Sequence, residues 1–170
     1  DFDVQIKAHV NQIGDIEAPP VTFEEMLEHS EENEVRCAHP ETAEEMREAI
    51  DEYQQAGDSI GGSVYFECRG VPRGLGAPRF DSFPARLGQA MFSIPATSAV
   101  QFGKGRDTRT MKGTERNEDW EFHDGEGPVV AEEGDPVPVG NDHGGLQGGI
   151  TTGEPIYGEV TLHAPTSIPL

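Results

Sequence analysis

An α+β fold, with helices packed on antiparallel strands, is predicted from three observations. Apolar residues alternate with polar ones near both ends of the 170 residues, the period of half-buried strands. Two stretches in the first third place apolar residues three and four apart behind capping-box pairs, the signature of amphipathic helices. Between the helical and strand-like runs lie glycine- and proline-rich turns, so the elements alternate irregularly instead of repeating a strand-helix unit.

The elements follow in order. Val4, Ile6, Ala8 and Val10 alternate as a strand, and Pro19-Pro20 ends the segment after it. Thr22 with Glu25 opens a first helix, whose stripe is Phe23, Met26 and Leu27. Thr42 with Glu45 repeats the device, and Ala43, Met46, Ile50 and Tyr53 carry a second helix to Ala56-Gly57. Residues 59–70 predict a strand through Ile60, Val64, Phe66 and Cys68, followed by a turn-rich crossover at 70–78. A third helix has Asp81 or Ser82 as its cap and Phe83, Leu87 and Met91 inward. Residues 98–102 and 155–162 read as the last two strands. Between them, 104–148 forms a long acidic flexible loop of 45 residues with 11 acids and five bases. The domain reading is one partial domain over 1–170.

Composition narrows the function. Apolar residues are 34% of the chain, aromatics 7%, and 21 Gly with 13 Pro demand many loops. Twelve basic residues, three of them lysine, face 32 acidic ones, a net charge of −20. Such a surface disfavours nucleic acid and anionic membranes and suits molar salt, the pattern expected of a haloarchaeal protein. Cys37 and Cys68 are too few for a disulfide scaffold, and Cys37-Ala38-His39 lacks further metal ligands nearby. No apolar run reaches the roughly 18 residues of a membrane helix, so the expectation is a soluble cytoplasmic protein. Asp1 without a Met, and a stop at Leu170 just after a strand, read as cut ends.

Three constellations could carry chemistry. NDHGGLQGGITTG (141–153) holds five glycines and runs into a strand, so backbone amides can approach a planar or anionic ligand; no Lys follows, which removes the phosphate-loop reading. HAPTSI (163–168) offers Thr166 and Ser167 hydroxyls beside a proline-fixed backbone, suited to phosphate. KGTERNED (112–119) is a turn of mixed donors and acceptors. Each has a plain alternative: a hinge, a strand exit and a solvated loop. The six scattered histidines show no zinc spacing, and no GxSxG elbow is present, so neither metal nor serine catalysis is indicated.

Taken together, these segments resemble chorismate synthase. GDSIGG (57–62) matches a family motif, RGVPRGLGAP (69–78) resembles xGVPxGLGEP, and Phe80-Asp81 continues it. MFSIPA (91–96) and AVQFG (99–103) resemble M-SIPA and GVEFG. GTERN (113–117) resembles the GSExN turn, GGLQGGITTG (144–153) resembles AGGIxGGISxG, and Pro165-Thr166-Ser167 falls in KPTSS. AHVNQIGDIEAP (8–19) resembles the start of the family's second half. The likeness covers the middle and later part of a family member; the GESHG, RPGH and RHDP motifs that carry its catalytic histidines, arginine and aspartate are absent from these residues, so no catalytic residue is assigned.

The resemblance implies a partial β-α-β sandwich, within a homotetramer when full-length. The implied reaction is conversion of 5-enolpyruvylshikimate 3-phosphate to chorismate and phosphate by 1,4-anti elimination, requiring reduced FMN, with NADPH as a source of reductant. It also implies a cofactor-binding set: Gly148 against the flavin through its backbone, where only hydrogen leaves room; Glu115 and Arg116 on the flavin turn; Ala164, Pro165, Thr166, Ser167 and Ile168 on the phosphate-facing segment. Ala164 replaces the family's usual Lys and Ile168 a Ser, while Asp142 and His143 stand where His or Asn and Ala are commoner. The fragment alone is expected to be inactive. Competing readings are a non-catalytic flavin- or ligand-binding module of the same ancestry, and an acidic interaction protein.

Overall fold

Capping chemistry sets the first helices. The computed structural model of the chain describes residues 3–77 and 79–168. The ends at Asp1 and Leu170, and Pro78 at the close of the 69–78 motif, lie outside the described residues. The Thr22–Glu25 box forms in full around α1 (Phe23–His29): Glu25 N–H donates to Thr22 Oγ1, and Thr22 N–H donates to Glu25 Oε2 at 2.6 Å. Phe23 and Met26 are buried, whereas Leu27 is exposed, so the apolar stripe is narrower than its spacing implied.

Helix α2 (Pro40–Gln55) begins two residues before the Thr42 cap that the sequence suggests. Proline favours the first helical position, which makes His39 the N-cap; its Nδ1 accepts from Thr42 N–H at 3.3 Å. Thr42 itself is buried. Ala43 and Met46 enter the core, but Ile50 and Tyr53 remain exposed, because only the first half of the helix is covered.

Strands β1 (Gln5–Ile13) and β2 (Ile16–Glu17) pair antiparallel with Ile13 opposite Ile16, a hairpin the alternation at 4–10 did not reveal. With β3 (Gly62–Arg69), β4 (Thr97–Phe102) and β9 (Ile156–Leu162) they form a five-stranded sheet in the order β2-β1-β3-β9-β4. Helix α3 (Phe83–Phe92) follows a 3-10 turn at Arg79–Asp81. The stretch 104–148 carries short elements instead of one loop: a 3-10 turn at Gly105–Thr110, α4 (Gly113–Arg116), β5 (Trp120–Phe122), β6 (Pro136–Pro138) and β7 (Leu146–Gln147). β5 and β6 pair antiparallel, and β7 pairs with β8 (Ile150–Thr151). Val137 and the aromatic Trp120 and Phe122 favour extended backbone there, with Pro138 and Pro136 opposite the two aromatics. The architecture is α+β, as the sequence predicts.

The chain groups into two compact units. The first comprises 1–6, 67–91 and 101–158; its core is Val71, Leu146 and Ile156, with Phe83, Leu87 and Phe102 against them. The second comprises 7–66, 92–100 and 159–170. Its two clusters centre on Cys37, Ala43 and Met46, and on Phe23, Met26 and Ala38. His9, buried in this unit, meets Tyr65 edge-on with ring centroids 6.0 Å apart, and burial pulls its pKa down.

Candidate functional site

The glycine-rich stretch folds into a two-residue hairpin. Leu146 pairs with Thr151 and Gln147 with Ile150, leaving Gly148 and Gly149 as the loop. Their φ angles of +61° and +90° suit a type I′ turn, which needs left-handed backbone at both positions. A Cβ at Gly148 would meet no protein atom within 4 Å. Glycine is favoured there by its backbone conformation, and the protein leaves the space beside it open.

A clamp holds this hairpin on the 69–77 loop. Thr151 is 2% exposed; its hydroxyl donates to Pro72 O at 2.6 Å and accepts from Leu75 N–H at 2.9 Å. Its main chain adds Thr151 N–H to Leu75 O and Gly74 N–H to Thr151 O, at 3.0 and 2.8 Å. Gly149 O accepts from Phe83 N–H at 2.8 Å, satisfying a free donor at the start of α3. Gly76 closes the contact: a Cβ on it would stand 2.5 Å from Gly149 O. Two motifs some seventy residues apart are thus one structure.

Beside the hairpin lies a polar cluster that includes groups the sequence reading passed over. Glu118 accepts from Asp142 N–H through Oε1. His143 Nδ1 stands 2.8 Å from Glu118 Oε2, off the hydrogen-bond line, so the pairing is one of charge when the imidazole is protonated. Lys104 Nζ pairs with Asp142 Oδ2 at 2.8 Å. Glu154 is buried, and burial, reinforced by the Glu118 charge, pushes its carboxyl up to about 7. Burial, then Asp142 and Glu118, raise the Tyr157 phenol; the Arg116 cation opposes them. The only signal for Glu118 was its place in the KGTERNED turn, and nothing in the spacing marked Glu154 or Tyr157.

The expected binding residues fall in two groups. Glu115, Arg116 and Gly148 belong to the first unit, and 164–168 to the second. Glu115 is already committed: its carboxylate accepts from Lys112 N–H at 2.8 Å and opens α4. Arg116 is half-buried, and its Nη1 is buried without a hydrogen-bond partner among the described residues. In the second unit, residues 163–168 follow β9 without regular secondary structure, with Pro165, Thr166 and Ser167 exposed and Ala164 and Ile168 half-buried. Ser59 of GDSIGG donates to Pro165 O at 2.5 Å, and His163 N–H donates to Ala96 O at 3.0 Å. The GDSIGG, SIPA and HAPTSI segments therefore adjoin. Among the described residues no three His, Cys, Asp or Glu side chains gather as a metal site, and no helix is long and apolar enough to cross a membrane.

The chorismate synthase family model matches residues 1–170. The chain belongs to the chorismate synthase family. It is 75% identical over 171 residues to the chorismate synthase of Halorubrum lacusprofundi and 74% identical over 170 to that of Halobacterium salinarum, in each case 99% of this chain and 43% of the relative. The chorismate synthase of Methanosarcina acetivorans is 40% identical over 167 residues, 98% of this chain and 43% of the relative. A crystal structure of a chorismate synthase superposes with a TM-score of 0.82 at 30% identity, over 96% of this chain and 50% of that one. The fold is therefore part of the chorismate synthase β-α-β sandwich, and the chain spans less than half the length of the curated family members it matches.

Proposed function

We propose that this chain supplies part of the flavin cradle of a chorismate synthase, an enzyme converting 5-enolpyruvylshikimate 3-phosphate to chorismate and phosphate. The observation that carries this is the family match over 1–170 with its motifs in order. The residues present suit reduced FMN. Arg116 holds a buried guanidinium nitrogen with no acceptor among the described residues, and the space around Gly148 is open. When bound, reduced FMN lends electron density that eases phosphate departure and is recovered as a ring proton leaves.

The chain's own residues bind and orient. Gly148 would present backbone to the flavin, and Arg116, whose Nη1 lacks a partner among the described residues, would supply a charge-assisted donor to it in a half-buried setting. Glu115 acts through α4, holding the turn that carries Arg116. Thr166 and Ser167, exposed beside Pro165, offer hydroxyls and amides to a phosphate, with Ala164 and Ile168 contributing backbone alone. The acid–base histidines, and the cations that hold the substrate, belong to the remainder of the enzyme. The whole enzyme is a cytoplasmic homotetramer in this reading, with NADPH as a source of reducing equivalents.

Flavin titration in molar KCl tests the cradle. Arg116→Ala should weaken FMN binding about tenfold or more. The same chain, given reduced FMN and 5-enolpyruvylshikimate 3-phosphate, should form no chorismate above buffer. Equal FMN affinity in wild type and variant, or turnover by the chain alone, would refute the proposal.

A further inference from the structure

A cleft of about 330 Å³ opens beside the β5–β6 ladder in the first unit. Two buried titratable side chains line it. Glu154 is 9% exposed and His123 8%, and neither side chain has a hydrogen bond or ion pair to another described residue. Just past β5 the main chain of His123 is fixed, its N–H donating to Asp135 O at 2.8 Å and its carbonyl accepting from Gly134 N–H at 2.8 Å, which roots the side chain at the cleft. Exposed Glu121, Asp124 and Glu126 line the cleft as well, and among the described residues no Lys or Arg does. Buried Val137 and exposed Phe122 and Val139 supply apolar walls.

The Glu154 side chain is largely covered but its carboxyl opens into the cleft without a cationic partner, and the acidic rim selects for positive charge. A compact metal ion needs several converging oxygen or nitrogen ligands, and the described residues provide no such group of three. An ammonium is strongly hydrated and gains little from valine and phenylalanine walls. A guanidinium is planar and weakly hydrated, stacks on apolar and aromatic surfaces, and pairs with a single carboxylate in a fork.

We infer that this cleft binds a guanidinium group such as an arginine side chain, with Glu154 as its carboxylate partner and the His123 ring as a second acceptor. No step of the flavin chemistry requires it. Burial and the Glu118 charge favour the protonated acid in the empty cleft. A cation facing Glu154, inside a rim of Glu121, Asp124 and Glu126, reverses that preference. Binding therefore releases a proton near neutral pH.

The test uses the 170-residue chain in molar KCl, following the His123 ring resonances during titration with N-acetyl-arginine amide. The expected result is a saturable shift, at least about tenfold stronger in affinity than for N-acetyl-lysine amide, and weakened about tenfold or more in Glu154→Gln. Calorimetry in two buffers at pH 7 should find about half a proton released per guanidinium bound, a readout that does not depend on the variant folding. Non-saturable shifts, equal response to the lysine analogue, tighter binding of Mg²⁺, unchanged affinity in Glu154→Gln or binding without proton release would each overturn the inference.

Discussion

Removing one hydroxyl should loosen the glycine hairpin on its partner loop. Thr151→Val preserves shape and β-branching, but deletes both the bond to Pro72 O and the one from Leu75 N–H, at a residue 2% exposed. Two half-buried polar groups lose their partner, each costing about 1–2 kcal/mol, the lower part of the range for an unsatisfied group, so the clamp should weaken by about 2–4 kcal/mol. Thr151→Ser keeps both hydrogen bonds and loses a methyl, at about 1 kcal/mol. Native-state amide exchange in molar KCl reads the clamp directly. The Gly74 amide, which donates to Thr151 O, should lose roughly 30- to 900-fold of its protection in Thr151→Val if it exchanges by local opening. Global denaturation of the same variants checks that the rest of the fold persists. Protection within twofold of wild type in Thr151→Val, or an equal loss in Thr151→Ser, would refute the claim that the hydroxyl holds the two motifs together.

Two further outcomes follow from the same region. Gly148→Ala should cost about 1–2 kcal/mol by denaturation, because only left-handed backbone strain opposes it, and Gly148→Asn should recover most of that loss. Gly76→Ala should cost more than Gly148→Ala, since it adds a 2.5 Å approach to Gly149 O to a φ of +124°; equal losses would show that crowding is relieved. The Glu154 carboxyl sits at about 7 in the fold against an ordinary 4.5, so the folded state holds its proton more tightly. Its stabilising contribution is full below pH 4.5 and declines as pH rises to about 7, by about 3 kcal/mol across that window. The difference between wild type and Glu154→Gln, measured by denaturation from pH 4 to 8, should carry that slope; parallel curves would contradict the shifted carboxyl.

Much of the architecture was legible because local chemistry and tertiary demand agree. The Thr22–Glu25 box, the α2 terminus at Ala56 and the late strand through Val160 follow from capping and alternation alone. Errors arose where burial is set by distant chain. Leu27, Ile50 and Tyr53 keep helical spacing yet face outward, since spacing fixes a direction but not what covers it. Proline overrode the Thr42 box because a preset φ at Pro40 starts the helix earlier. Within the candidate site, Gly148 was visible through its motif and Arg116 through its turn. Glu118 and Glu154 were not, because 36 residues separate them and an acid-rich chain gives any one carboxylate no contrast.

The sheet order has a consequence for synthesis on the ribosome. β9 lies between β3 and β4, although it is made after both, so each of those strands presents an unpaired edge until residues 156–162 emerge. Such edges template pairing with neighbouring chains. By then residues 1–155 already carry nearly all of the net charge of −20 of this stretch, and mutual repulsion between copies guards the open edges until β9 pairs.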